Sequence, residues 1–201
     1  SPIPPGYVGA NESLYDDVYG APNIELAREL LTAAGYSEDD KAEIELWYPP
    51  EHYGGTVADS VQVIKEQIEA SGMATVSLNA QDWGTYVGAV VGGEDYPISF
   101  LGWFYDYPDS DNWVTPFGLG AGLGSNTNND DLDALLLQAA AESDAGARAD
   151  LYAQIQDMWV ELNPTIPLWI EPEHVVYGSH VQGVNIGPTI EFNYNQVTVS
   201  R

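Results

Sequence analysis

Twelve residues near the middle of the chain, GWFYDYPDSDNW (102–113), concentrate side chains that could do chemistry. Trp103, Phe104, Tyr105, Tyr107 and Trp113 supply rings, and Asp106, Asp109 and Asp111 supply carboxylates. Flat rings can wall a pocket, and a carboxylate among them can hold a cationic group. Asp109 and Asp111 flank Ser110 beside Pro108, a context that suits turn formation. Asp106 lies between two tyrosines, where no turn former is called for. Trp103 and Trp113 read equally as core residues or as pocket wall.

Other chemistries find less support. His52, His174 and His180 are the only histidines, and none has a second ligand at zinc spacing. Asp109-x-Asp111 resembles the start of a calcium loop. The glycine and glutamate that such a loop needs at its sixth and twelfth positions are replaced by Val114 and Gly120. There is no G-x-S-x-G, and the Gly-rich run at 118–124 lacks the lysine of a phosphate loop. Carboxylates are so abundant that no glycosidase pair stands out. No cysteine is present, so disulfides and thiolate chemistry are excluded, and no cofactor is expected.

The 201 residues carry 31 Asp and Glu against 5 Lys and Arg, a formal charge of −26 that repels nucleic acid and anionic membranes. Such acidity fits either life in high salt, where screening removes self-repulsion, or an acidic secreted protein. A hydrophobic content of 44% is enough to bury a core. No apolar run reaches the roughly 18 residues of a membrane span. The start, Ser-Pro-Ile-Pro-Pro, has no Met, basic residue or apolar signal core, so the chain is expected to begin inside a longer gene product or after processing.

The elements that must position the central segment alternate. Asn23 can cap a helix through IELARELLTAAG, with Ile24, Ala27, Leu30, Leu31 and Ala34 on its core stripe and Gly35 as its stop. KAEIELWY and ATVSLNA read as strands. Between them runs an amphipathic helix, Thr56 to Ala70, with Val57, Val61, Ile64 and Ile68 inward. Strand, helix and strand make a right-handed parallel unit. Asp82 can cap a short helix, and PISFLGW reads as a third, buried strand leading into the central segment. Ligands of open α/β sheets sit at the carboxyl ends of strands, which is where that segment begins. Helices follow at about 131–143 and 145–162, the second capped by Asp144, and TIPLWIEP then reads as another strand. Residues 1–22 form an irregular lead-in, 23–171 an α/β body, and 172–201 a tail of short β-like runs.

Several stretches, in order, resemble the C-terminal part of the family 5 extracellular solute-binding proteins of ABC transporters. SPIPPG is similar to the segment entering that family's second lobe. IELARELLTAAGY resembles its "AKALLAEAGY" helix, AQDWGTYV its "EWxxYL" step, and YPISFLGWFYDYPDSDNW its "GW..DYPDPDNF" signature. SNTNNDDLDALLLQAAAESDAGARADLYAQIQDMWVELNPTIPLW resembles its "SNPEVDALLDEAR…ELYAEAQ…APxIPLY" run.

The resemblance implies a periplasmic-binding-protein-like lobe: a mixed, largely parallel sheet flanked by helices. Its terminal segments would join a second lobe absent from this chain. It further implies a binding protein, not an enzyme, working outside the cytoplasm with membrane permease subunits. Asp106 would hold the ammonium of a peptide-like ligand, by the match of Gly102-Trp103-x-x-Asp106. Leu101, Gly102 and Trp103 would run beside the ligand backbone. Tyr105, Tyr107 and Trp113 would wall the pocket, and Asn126 would add a polar contact. An oligosaccharide ligand on the same frame and a carboxylate-dependent glycoside hydrolase are the alternatives.

Overall fold

The computed structural model describes residues 1–92, 96–120, 123, 127–172, 174–185 and 194–200. The chain divides into two compact units: Asp16–Gly102, and Ser1–Tyr15 together with Trp103–Arg201.

The 16–102 unit is built on a parallel sheet in the order β2-β1-β3. Strands β1 (Ala42–Tyr48) and β2 (Ala74–Ala80) pair in register from Ala42↔Ala74 to Tyr48↔Ala80. Helix α3 (Val57–Glu69) crosses between them, as the sequence predicts. It buries Val57 and Val61 against Leu46, Tyr48 and Val76, with Ile64 and Ile68 packed at the margin. Helix α2 (Ile24–Ala33) starts where Asn23 accepts the Leu26 N–H. It stops in a Schellman motif: Tyr36 N–H reaches Leu31 O and Gly35 N–H reaches Thr32 O, with Gly35 at φ +98°. Helix α4 (Trp83–Gly92) begins at Asp82, whose carboxylate accepts the Thr85 N–H.

Two expectations for this unit need correction. The α2 stripe is not a core face: Ile24 and Leu30 are 50% and 60% exposed, and only Ala27 and Leu31 are half-buried. The third strand, β3, is confined to Ile98–Ser99, and both residues are exposed. It lies at the edge of the sheet, paired with the end of β1 alone, so little covers its side chains.

The other unit packs three helices, α5 (Asp111–Gly118), α6 (Asp130–Ala141) and α7 (Ala145–Leu162). Their shared core is Val114, Leu132, Leu136, Ala139, Leu151, Ile155 and Trp159, joined by Ile3. Asn129 and Asp144 cap α6 and α7. The N-terminal segment lies along α7. Gln156, buried on that helix, donates to Gly9 O at 2.6 Å. Its Oε1 accepts Ser1 Oγ–H at 2.7 Å and Asn11 N–H at 3.2 Å. Gly9 is so close that a Cβ there would stand 2.5 Å from Cβ of Tyr152.

The sequence reading misses α1 (Leu14–Tyr19), within which the unit boundary falls, and α5, which it leaves inside the central motif. TIPLWIEP is not a strand. Residues 165–172 belong to no strand, and Ile166, Leu168, Trp169 and Ile170 are 49–68% exposed. Pro167 and Pro172 deprive it of ladder donors. In the tail, β4 (Val181–Gln182) and β5 (Thr198–Val199) form a short antiparallel pair.

Candidate functional site

The central segment straddles the boundary, which falls between Gly102 and Trp103. Its two sides are therefore described in turn.

In the 16–102 unit, Leu101 and Gly102 follow β3 and are half-buried. Tyr53 O–H donates to Gly102 O at 3.3 Å, and its ring covers the glycine. A Cβ at Gly102 would stand 2.7 Å from Cε1 of Tyr53. That ring is in turn edge-on to His52 (4.6 Å), Trp83 (5.7 Å) and Phe100 (6.1 Å). His52 itself lies flat on Trp83, 3.5 Å away at 2°. Behind this group Tyr86 is fully buried. Its hydroxyl serves Phe100 O at 2.7 Å and Trp47 O at 3.2 Å, tying the exit of β3 to the end of β1. Burial pushes the hydroxyls of Tyr53 and Tyr86 above the ordinary phenol range.

In the other unit, Asn112 organises the segment. It is buried in the first turn of α5. Pro116 stands four residues later and has no N–H, so the Asn112 carbonyl lacks its i+4 helical donor. Trp103 fills that gap, its Nε1–H donating to Asn112 O at 2.8 Å, with Asn112 Oδ1 also near at 3.3 Å. The same Oδ1 accepts the backbone N–H of Asp106 at 2.9 Å. Trp103 is further edge-on to Phe117 at 5.1 Å.

The three aspartates have different fates. Asp109 is held by Arg148 and also accepts the Asp111 N–H at 2.8 Å. Hydrogen bonding to Arg148 keeps its carboxyl below the usual range against a smaller opposing effect of burial. Asp111 accepts Tyr107 O–H and Thr115 Oγ–H, each at 2.6 Å. Its bond to Tyr107, with some burial, raises the Tyr107 hydroxyl. Asp106 is exposed, and among the described residues its carboxylate has no hydrogen-bond or ion-pair partner.

The rings divide as well. Tyr105 and Trp113 form a cluster with Tyr7 from the N-terminal segment, with centroids 5.8–6.2 Å apart. Trp113 Nε1 is buried with no acceptor among the described residues. Phe104 and Tyr107 are 55% and 45% exposed. Asn126 lies outside the described residues. Sequence reasoning missed Asn112 and Arg148. The scarcity of cations was the available clue to Arg148, since a chain with 5 Lys and Arg rarely leaves one idle beside 31 acids. Among the described residues no three His, Asp or Glu side chains gather as a metal site would require.

Among the described residues the Asp106 carboxylate is thus left without a partner near exposed rings, and the chain as a whole has relatives among known proteins. Di/tripeptide-binding protein 4 of Pseudomonas aeruginosa (strain UCBPP-PA14) is 29% identical over 203 residues, which is 98% of this chain and 37% of that protein. Di/tripeptide-binding protein 1 of the same strain is 30% identical over 174 residues, 83% of this chain and 31% of that protein. In structure the chain is similar to the Escherichia coli murein tripeptide binding protein MppA, with a TM-score of 0.81 at 20% identity over 98% of this chain and 38% of that one. It is also similar to the dipeptide-binding protein of Pseudoalteromonas sp. SM9913 in complex with Met-Leu, with a TM-score of 0.77 at 22% identity over 100% of this chain and 39% of that one. The chain thus spans well under half the length of these relatives. Residues 1–125 match the bacterial extracellular solute-binding proteins, family 5 Middle, and it is to this family that the chain belongs.

Proposed function

We propose that the protein carrying this chain is the substrate-binding component of an ABC importer. It captures a peptide-like or other amine-bearing solute outside the cytoplasm and hands it to membrane permease subunits. It is a binding protein and not an enzyme. The ligand is enclosed between this part of the protein and a second lobe by hinge closure.

The observation that carries this reading is the division of labour among the three aspartates. Arg148 occupies Asp109, and Tyr107 and Thr115 occupy Asp111, while Asp106 has its backbone N–H tied to Asn112 and, among the described residues, no partner for its carboxylate. A ligand ammonium would complete it with a charge-assisted bond, worth about 1.5–3 kcal/mol once water is excluded. Trp103, Tyr105, Tyr107 and Trp113 would contribute the wall. The names of the relatives, di- and tripeptide-binding proteins, favour a short peptide.

Titration calorimetry of the full-length protein with trialanine, N-acetyl-trialanine and maltotriose tests this. Wild type should prefer trialanine to its acetylated form by tenfold or more, and Asp106→Ala should erase that preference. Equal binding of the two peptides by wild type, or tighter binding of maltotriose, would replace the peptide reading with a carbohydrate one.

A further inference from the structure

The loop that carries Asp106 is fixed by a side chain and not by regular structure. Residues 100–109 belong to no helix or strand. Within them, the backbone N–H of Asp106 is tied to Asn112 Oδ1 at 2.9 Å. Asn112 is 3% exposed and anchored in α5, so this acceptor cannot follow the loop if the loop moves. The same residue holds the start of the loop, because the carbonyl that Pro116 leaves without its i+4 donor takes the Trp103 indole N–H. One buried asparagine therefore fixes two points, three residues apart, on either side of Phe104 and Tyr105.

From this geometry we infer that Asn112 is the positioning residue for ligand recognition: it sets where Asp106 presents its carboxylate. The inference rests on the reading of Asp106 as the ammonium anchor. An exposed acid on an untethered loop would have to be ordered by the ligand, and that ordering would be subtracted from affinity. Held by Asn112, the carboxylate is preorganised. The two neighbouring acids cannot substitute for it, because Arg148, Tyr107 and Thr115 already occupy them. Asn112 touches no ligand in this scheme. It acts through Asp106 and should therefore govern discrimination between an amine and its acetylated form.

Calorimetry of the full-length protein with trialanine and N-acetyl-trialanine tests it. Asn112→Leu keeps the volume and removes the acceptor, whereas Asn112→Asp keeps the acceptor. The leucine variant should lose about tenfold of the preference for trialanine, and the aspartate variant should stay within about threefold of wild type. In the Asp106→Ala background, Asn112→Leu should cause no further loss of preference. Full preference in Asn112→Leu, equal loss in both Asn112 variants, or additive losses in the double variant would each overturn the inference while leaving the anchor standing. Full preference in Asp106→Ala would overturn the anchor, and the inference with it. Amide hydrogen exchange of the wild-type protein needs no variant to fold. The Asp106 N–H should exchange at least about tenfold more slowly than that of Phe104, and equal rates would overturn the assignment.

Discussion

Arg148 grips both carboxylate oxygens of Asp109, Nη1 to Oδ2 at 2.7 Å and Nη2 to Oδ1 at 2.8 Å. The same guanidinium donates through Nε to Ala139 O at 2.8 Å and lies 5.2 Å from the Tyr152 ring centroid. Both side chains are largely shielded, at 18% and 31% exposure. Removing the cation leaves a partly buried acid and an unpaired carbonyl. Arg148→Met should therefore cost about 2 kcal/mol of stability at pH 7, measured by denaturant unfolding, with Arg148→Lys intermediate.

The same pair sets an acid dependence. Asp109 is held below its ordinary value of 3.8, so its contribution is fully present above that pH and is lost as pH falls through the lower folded-state value. Melting curves of wild type and Arg148→Met should converge between about pH 4 and pH 2. A gap that stays constant across that range would show that the pair is not the source.

Gly102 and Tyr53 should fail together. An alanine at 102 would meet the Tyr53 ring at 2.7–3.1 Å, and that ring is hemmed in by His52, Trp83 and Phe100. Gly102→Ala should cost about 1–3 kcal/mol. In a Tyr53→Ala background the same change should cost less than about 0.5 kcal/mol, because the clash is gone. Additive losses would mean that the ring yields easily.

Tyr86 should matter through its hydroxyl. Tyr86→Phe removes the hydroxyl that reaches Phe100 O, while Trp47 O keeps the Phe100 N–H at 2.9 Å, and should destabilise by about 1–2 kcal/mol. Because burial raises this hydroxyl, its contribution holds below the ordinary phenol value of 10.0 and is lost as pH climbs past it. Wild type should therefore lose more stability than Tyr86→Phe between about pH 9 and pH 11, read by thermal melts.

Net charge makes salt a stabiliser. With a formal −26, adding NaCl from 0.1 to 1 M shortens the screening length from about 10 Å to 3 Å and relieves self-repulsion. The melting temperature should rise by several degrees over that range. A flat or falling response would remove the high-salt reading of the composition.

What could be read in advance follows a physical line. Asn23, Asp82 and Asp144 cap helices through bonds that reach only three residues, and such local chemistry is visible in sequence. α3 was legible because Val57, Val61, Ile64 and Ile68 repeat at helical spacing. α5 was hidden because Pro116 argues against a helix, and only Trp103, from outside, supplies the missing donor. TIPLWIEP has the composition of a strand, yet a strand is defined by a partner, and composition cannot name one. In the site, the separate character of Asp106 was visible from its tyrosine neighbours. That Asp109 belongs to Arg148, 39 residues away, is a tertiary fact with no local signature.

The bonds of Gln156 also bear on the order of events during synthesis. Ser1, Gly9 and Asn11 find their partner 155, 147 and 145 positions downstream. Contacts that close such long loops form slowly, and chains fold from the N-terminus as they emerge. The first fifteen residues must therefore wait, unsettled, until α7 has left the ribosome, while the sheet of the 16–102 unit has all its strands much sooner. Of the two units, the one that presents Asp106 is completed later, and truncation ahead of α7 leaves residues 1–15 without their partner.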